Sequence, residues 1–248
     1  MEETKKTCLI TGASSGIGKH IAHEMVQRGW RVIAVARRKN KLNKLCEVLG
    51  KENLIPMVCD ISKFDHVKEV SIALKNKNLH PTLFFLNAGV GDEEKDKGLD
   101  WVFHKKIFDI NYFGTISWVN QWIDILKEKD GGKFVTTSSI QSYKGMPGAA
   151  AYGASKSALN HCFESLDAMY YKDNIRFSII YPGPVDTAML KTDKHLPFTW
   201  KPKKAAKYIV RNVLKGSTKI KFPLFWVILM GVVKLLPNKL FLYIFRMK

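Results

Sequence analysis

The sequence predicts an α/β fold: a doubly wound parallel sheet in one domain, followed by an apolar C-terminal extension. Three observations carry this expectation. Short β-rich runs alternate with longer helical patterns, the runs are apolar throughout, and a glycine-rich turn joins the first run to the first helix. Parallel neighbours need a crossover connection, and strands buried on both faces lose the period of two, so apolar runs joined by helices imply a parallel sheet. A chain of 248 residues is a common length for one such sheet, and 46% hydrophobic with 25% charged residues can bury a substantial core.

Strands are expected at residues 7–11, 31–36, 54–59, 82–87, 133–137 and 176–181, each bounded by turn or polar residues. Helices are expected at 17–28, 39–49, 64–75, 101–127 and 151–172. The sheet domain is assigned to residues 1–221 and the extension to 222–248. No internal repeat or low-complexity linker interrupts the pattern.

The formal net charge of +18 calls for an acidic partner: nucleic acid, anionic lipid, an acidic carrier protein or a phosphorylated cofactor. A merely soluble lysine-rich surface is the other reading. The lysines are scattered rather than gathered with interleaved aromatics, which argues against nucleic acid. Cys8, Cys46, Cys59 and Cys162 lie far apart without a CxxC pair, so neither a metal site nor a disulfide framework is expected, and a reducing cytoplasm fits. Residues 1–6 offer no apolar stretch for secretion.

After the first strand comes Thr11-Gly12-Ala13-Ser14-Ser15-Gly16-Ile17-Gly18, leading into a helix. Gly12 permits a tight turn. Gly16 and Gly18 let backbone approach a pyrophosphate and let the helix pack on the sheet, while the helix N-terminus offers free N–H groups and a positive dipole end. With Ser14, Ser15 and Ile17 this is a Rossmann-like dinucleotide loop. A dinucleotide fold that takes NAD places an acid at the end of the second strand, about 20 residues on. Here Arg37 and Arg38 stand there instead, and a guanidinium can grip a 2′-phosphate, so NADP(H) is expected, with NAD(H) as the alternative. Asp60, with Ile61 beside it, follows the third strand; it either accepts a bond from an adenine amino group or caps a helix.

Tyr152-Gly153-Ala154-Ser155-Lys156 places a phenol and an ammonium four apart on one helix face. A free phenol titrates near 10; a neighbouring ammonium favours its ionised form and suits it to proton exchange near neutrality. Lys133-Phe134-Val135-Thr136-Thr137-Ser138-Ser139 is a strand ending in hydroxyls at the carboxyl edge, where open α/β sheets bind ligands, and Ser139 can hold a substrate oxygen.

Together with Asn87-Ala88-Gly89, Asn111 and Tyr181-Pro182-Gly183, these motifs resemble, in the same order from residue 7 to about 187, the short-chain dehydrogenase/reductase family with its TGxxxGxG and YxxxK signatures. The resemblance implies hydride transfer between NADP(H) and a carbonyl or alcohol. It implies that Asn111, Ser139, Tyr152 and Lys156 are the catalytic four, with Tyr152 giving or taking the proton and Asn111 ordering a relay water. It further implies that Gly12, Gly16, Gly18, Asp60, Asn87, Ala88 and Gly89 line the cofactor, that Lys156 also binds the nicotinamide ribose, and that Pro182, Gly183, Val185 and Thr187 complete the cradle, Thr187 holding the carboxamide. Two positions depart from the family pattern. Leu86 stands where a second asparagine is frequent, and Ser15 where many NADP-preferring members carry a basic residue, so the NADP(H) expectation rests on Arg37 and Arg38.

Residues 188–200, at the place of the family's substrate lid, carry Met189, Leu190, Leu196, Phe198 and Trp200, which suits either an apolar substrate or packing on the core. The tail from Phe222 to Val233 is uncharged, then Lys234 and Pro237-Asn238-Lys239 interrupt it. Neither half reaches the roughly 20 apolar residues that span a bilayer. A hairpin lying in an anionic membrane surface, rimmed by lysines and ending Arg246-Met247-Lys248, is one expectation; a segment covering the pocket or a subunit interface is the other. The small-molecule substrate is thus expected to be hydrophobic, a lipid-like carbonyl or alcohol. Long helices resembling those the family uses for assembly suggest a homodimer or homotetramer. Reduction of a 3-oxoacyl chain held by an acidic carrier protein, and a membrane-bound NADP(H) sensor without turnover, are the competing readings; the intact Asn, Ser, Tyr and Lys set speaks against the sensor.

Overall fold

In the computed structural model, which describes residues 5–91, 99–190 and 196–246, seven parallel strands form one sheet in the order β3-β2-β1-β4-β5-β6-β7. The expectations for residues 1–4, for part of the lid (191–195) and for the final two residues fall outside the described set.

β1 (Thr7–Thr11) sits in the middle, with β2 (Arg31–Ala36) on one side and β4 (Leu83–Leu86) on the other. Its alternate residues feed two separate cores. Cys8 and Ile10 pack with α1 (Gly16–Val26), α2 (Lys39–Leu49) and α7 (Pro202–Leu214); Leu9 packs toward α3 (Phe64–Asn76), α5 (Gly114–Glu128) and α6 (Ala150–Met169). Helices on both faces leave no side of the central strands to water, which is why those strands read as unbroken apolar runs. β3 (Leu54–Val58) extends the β2 edge; β5 (Gly132–Thr137) and β6 (Ile175–Pro182) extend the other. Across β4, β5 and β6 a ladder of Phe84, Phe134 and Phe177, with ring centres 4.7 and 5.2 Å apart, fills the space under α5 and α6. Because the chain winds outward in both directions from β1 and β4, their carboxyl ends part and open a crevice there.

The expected strands and helices are present, and five features go beyond them. The seventh strand, β7 (Lys219–Phe222), alternates exposed lysines with buried Ile220 and Phe222, a one-sided pattern on a short edge. α7 turns three lysines and an arginine outward together with Tyr208 and Leu214, while Ala205, Ile209 and Val213 are buried, so its lysine-rich sequence hides the apolar stripe. The expected single helix at 101–127 divides into α4 (Trp101–Phe108), a π-helical turn (Asp109–Phe113) and α5, with the Gly114 N–H reaching back five residues to the Asp109 carbonyl. The helix expected to run to residue 172 ends at Met169 and passes through a 3₁₀ turn (Tyr171–Asp173), closed by Asn174 in the left-handed region. Beyond β7, α8 (Leu224–Leu235) and α9 (Asn238–Arg246) meet at Pro237, which cannot continue a helix.

The π turn brings Gly114 against the loop after β3, where a Cβ would lie 2.7 Å from the Ile61 carbonyl oxygen and 2.9 Å from its Cγ1. The obstacle is backbone and cannot swing away. Gly114→Ala should therefore cost about 1–3 kcal/mol of stability, read as a lower urea midpoint at unchanged slope.

Candidate active site

The crevice at the carboxyl edge is a cavity of about 770 Å³, running from Arg37 and Asp60 at one end to Tyr152, Met189 and Met230 at the other. Every cofactor and catalytic candidate named from the sequence lines it except Gly18 and Asn111.

Gly12 and Gly16 both hold φ in the left-handed region, +70° and +54°. A Cβ at Gly12 would lie 2.9 Å from the Ala88 Cα, so the loop turns hard against the end of β4. Gly18 faces inward: a Cβ there would meet the Gly12 carbonyl oxygen at 2.6 Å and the Asn87 Nδ2 at 2.7 Å. Its service is close packing of α1 beneath the loop. A Cβ at Gly16 would sit 3.3 Å from the Thr187 Cγ2, which brings the segment after β6 over the loop. Ser15 is the N-cap residue of α1, yet its side chain caps nothing, so the first-turn N–H groups keep their donors for an anion in the crevice.

The Ser14 and Ser15 hydroxyls are held by Arg38. Its Nη2 donates to Ser14 Oγ at 2.8 Å and to Ser15 Oγ at 2.6 Å, and its Nε to Ser14 Oγ at 3.2 Å. Arg37 is exposed and lies near Asp60. Burial of Asp60 works to raise its titration, but bonds from the Ser62 hydroxyl and N–H, with Arg37 and Lys63 close by, hold the carboxyl below its ordinary range. Asp60 thus closes the turn leading to α3 through its bonds from Ser62, and it also lines the crevice.

Asn87, just past β4, accepts from Thr137 Oγ1 at 3.2 Å and lies under the Thr11 carbonyl. Ala88 N–H donates to Thr11 Oγ1 at 3.0 Å. Asn111, from the π turn, is fully buried: its Oδ1 accepts from Val90 N–H at 2.8 Å, and its Nδ2 donates to the Val90 carbonyl at 3.0 Å and to Ser155 Oγ at 3.1 Å. Both ends of the amide are committed, so this side chain works from behind the cavity wall.

Ser139 opens the 3₁₀ turn (Ile140–Ser142), and its Oγ accepts from Gln141 N–H at 3.1 Å. That bond aims the hydroxyl, which also hydrogen-bonds to Tyr152. Burial raises the Tyr152 phenol above its ordinary titration, and the Ser139 bond pulls it back. On the next turn of α6, Lys156 is 4% exposed; its Nζ donates to the Thr137 carbonyl at 2.7 Å and lies 5.7 Å from the Tyr152 ring centre. The sequence assigns the tuning of Tyr152 to Lys156, whereas the group bonded to the phenol is Ser139. Burial lowers the Lys156 ammonium to about 8.

The far end of the cavity is apolar. Met189, Leu190 and Leu196 of the segment after β6 line it, joined by Met146 and by Trp226 and Met230 of the C-terminal segment, which the sequence left open to a place over the pocket without naming these residues. No local motif marks these three; they arrive from a loop and from α8 only once the chain has folded.

A model of the family described as short chain dehydrogenase matches residues 6–196. The chain belongs to that family and is an oxidoreductase of the kind that uses a nicotinamide cofactor. An uncharacterized oxidoreductase of Myxococcus xanthus is 31% identical over 243 residues, covering 97% of this chain and 96% of the relative. A protein named 11-beta-hydroxysteroid dehydrogenase-like 3 of Arabidopsis thaliana is 32% identical over 239 residues, covering 88% of this chain and 74% of its own. Among solved structures, a short-chain dehydrogenase from Streptomyces avermitilis superposes with a TM-score of 0.84 at 22% identity, over 94% of this chain and 93% of that one. An alcohol dehydrogenase from the archaeon Thermococcus sibiricus, complexed with 5-hydroxy-NADP, gives 0.79 at 25%, over 88% and 96%.

The depressed Lys156 has a stability signature. Between pH 8 and 10.5 the unfolded chain holds a proton on this lysine that the folded chain has released, so its destabilising contribution is full below pH 8 and fades as pH rises. The stability of the native protein minus that of Lys156→Met should therefore increase across this window, by on the order of 2–3 kcal/mol, in urea titrations at matched pH.

Proposed function

We propose that this protein is an NADP(H)-dependent oxidoreductase interconverting a carbonyl and an alcohol on a hydrophobic, lipid-like small molecule, with Tyr152 as general acid and base. The observation that carries the reading is a Ser139 hydroxyl bonded to the Tyr152 phenol, beside the buried Lys156, in a crevice that also contains the glycine loop and Arg38.

The residues present fit a dinucleotide. The loop from Gly12 to Gly18, tightly folded and heading a helix with uncapped first-turn donors, would hold the pyrophosphate. Arg37 and Arg38 would take a 2′-phosphate, Asp60 and Ile61 the adenine, and Asn87, Ala88 and Gly89 the floor. Lys156 would reach the nicotinamide ribose, with Pro182, Gly183, Val185 and Thr187 around the ring and its carboxamide. When bound, the cofactor supplies or accepts the hydride.

In the reducing direction Tyr152 gives its proton to the substrate oxygen while Ser139, its own oxygen already engaged by Gln141 N–H, donates a hydrogen bond to that oxygen. The Lys156 ammonium lies close enough to favour the phenolate that remains, while its bond to the Thr137 carbonyl keeps it pointed inward. Asn111 acts as a positioning residue: through Val90 and Ser155 it fixes the cavity wall to α6. Met146, Met189, Leu190 and Trp226 favour an apolar substrate. Assembly as a homodimer or homotetramer, favoured by exposed Trp101, Val102 and Phe113 along α4 and the π turn, and work at an anionic membrane face, belong to the same reading.

Tyr152→Phe should lower turnover of a long-chain ketone by about 10²–10⁴ while NADPH binding, followed by nicotinamide fluorescence, stays unchanged; near-normal turnover overturns the assignment. The double change of Arg37 and Arg38 to Ala should weaken NADPH by roughly 10- to 100-fold and leave NADH little altered. Tighter NADH than NADPH binding in the native protein would overturn the cofactor reading.

A further inference from the structure

We propose that α8 and α9 form a docking face for an anionic lipid bilayer, and that the apolar substrate enters the cavity from that bilayer across α8. The second half rests on the reading of the cavity as an oxidoreductase site for apolar molecules.

α8 has two apolar faces. Leu224, Ile228, Val232 and Leu235 follow a helical spacing down its outer side, and Leu224 and Leu235 are 71% and 81% exposed. On the opposite side Trp226 and Met230 line the cavity, and Val233 joins the core. α9 repeats the division, with Phe241 packed inward and Leu242, Tyr243 and Ile244 outward. A helix apolar all round belongs in an interior, yet this outer stripe faces water, and such a patch calls for a partner.

Charge and length identify the partner as a bilayer surface. α8 and α9 contain no acidic residue, and lysines surround them. Lys144 donates to Asn238 Oδ1 at 3.1 Å and stands 5.1 Å over the Phe241 ring, and Lys234 and Lys239 flank the turn. An apolar face ringed by cations, on a chain of net charge +18, matches acyl chains bordered by anionic headgroups. A second copy of the same face would set lysine against lysine. Among the described residues no helix is long and apolar enough to cross a membrane. At 12 residues α8 measures about 18 Å against a hydrocarbon core of about 30 Å, so it lies along the surface.

The outer stripe and the cavity wall are opposite sides of one helix, about 10–12 Å apart. α8 is also tied to the cavity rim: Trp226 Nε1 donates to the Pro197 carbonyl at 2.7 Å, and the Phe225 and Phe198 rings lie 4.7 Å apart. Gly183 lets the start of α8 sit directly on the end of β6, since a Cβ there would come within 3.1 Å of the Trp226 Cβ. A molecule dissolved in the leaflet on which α8 lies therefore meets the site without passing through bulk water.

The test is flotation of the full chain with vesicles of phosphatidylcholine alone or with roughly one part in four phosphatidylserine. The native protein should float with the anionic vesicles and lose that binding at high salt. The triple variant Ile228→Gln, Leu235→Gln and Leu242→Gln should bind them at least about tenfold less. With NADPH, the variant should reduce a water-soluble short ketone at the native rate and a vesicle-embedded long-chain ketone several-fold more slowly. Three results overturn the proposal: equal flotation of variant and native protein; a native dimer that ignores vesicles and that the variant dissolves; or equal loss of rate on both ketones. Flotation requires no turnover, so a failure of docking and a failure of the oxidoreductase reading are told apart.

Discussion

One close approach organises this molecule: the backbone of Gly12 pressed against Ala88 between β1 and β4, where the winding of the chain along the sheet reverses. No side chain fits between them, so the loop after β1 lies on the end of β4 and its donors face the crevice. From that contact a short covalent and hydrogen-bonded path reaches the other half of the site. Ala88 adjoins Asn87, which accepts from the Thr137 hydroxyl, and the Thr137 carbonyl accepts from Lys156. The glycine loop and the Lys156 ammonium are therefore spaced by neighbouring strand ends, β1, β4 and β5, whose separation is that of the parallel ladder. A loop would hold the same groups less exactly in place than this rigid edge does.

Burying an ammonium at that edge is costly, and the fold meets the cost with one backbone carbonyl rather than with a carboxylate. A carboxylate partner would hold the lysine charged and neutralise its field. A carbonyl fixes its direction and leaves the positive charge to act on the phenol one turn earlier along α6. Asn111 is spent on the same end. The π turn aims its amide at Val90 and Ser155, locking the wall that carries Gly89 against the helix that carries Tyr152. A helix with regular bonding throughout 101–128 would point a different residue there, which is a reason for a π turn at this place.

What the sequence made legible was whatever the backbone itself enforces. The glycine loop, the doubly buried strands and the Tyr-x-x-x-Lys spacing each impose a local geometry on a few adjacent residues, and these appeared where expected. β7 escaped notice because Lys219 and Lys221 make a four-residue edge strand look polar, and the first residue read as tail, Phe222, is its buried end. The π turn has no compositional mark, since one inserted residue changes helical register without changing helical preference. The apolar tail could be read as covering the pocket, but which of its side chains face Tyr152, and that Met146 joins Trp226 and Met230 there, is decided only by tertiary structure.

Ser15 shows how a departure from a family pattern can be answered elsewhere in the fold. The loop lacks the basic residue that many NADP-preferring relatives carry, and from sequence that absence weighs against a phosphate grip. In the folded chain the guanidinium of Arg38 reaches back from the end of β2 and donates to both Ser14 and Ser15. A cation is thereby anchored on the loop itself, oriented by two hydroxyls rather than left free on a solvated stem. The positive charge over this loop is thus supplied from the end of β2 by Arg38 and seated by Ser14 and Ser15. The two serine hydroxyls are what hold the arginine from the end of the neighbouring strand over the loop. A basic side chain at 15 would remove the hydroxyl that accepts from Arg38 and leave the guanidinium held by Ser14 alone.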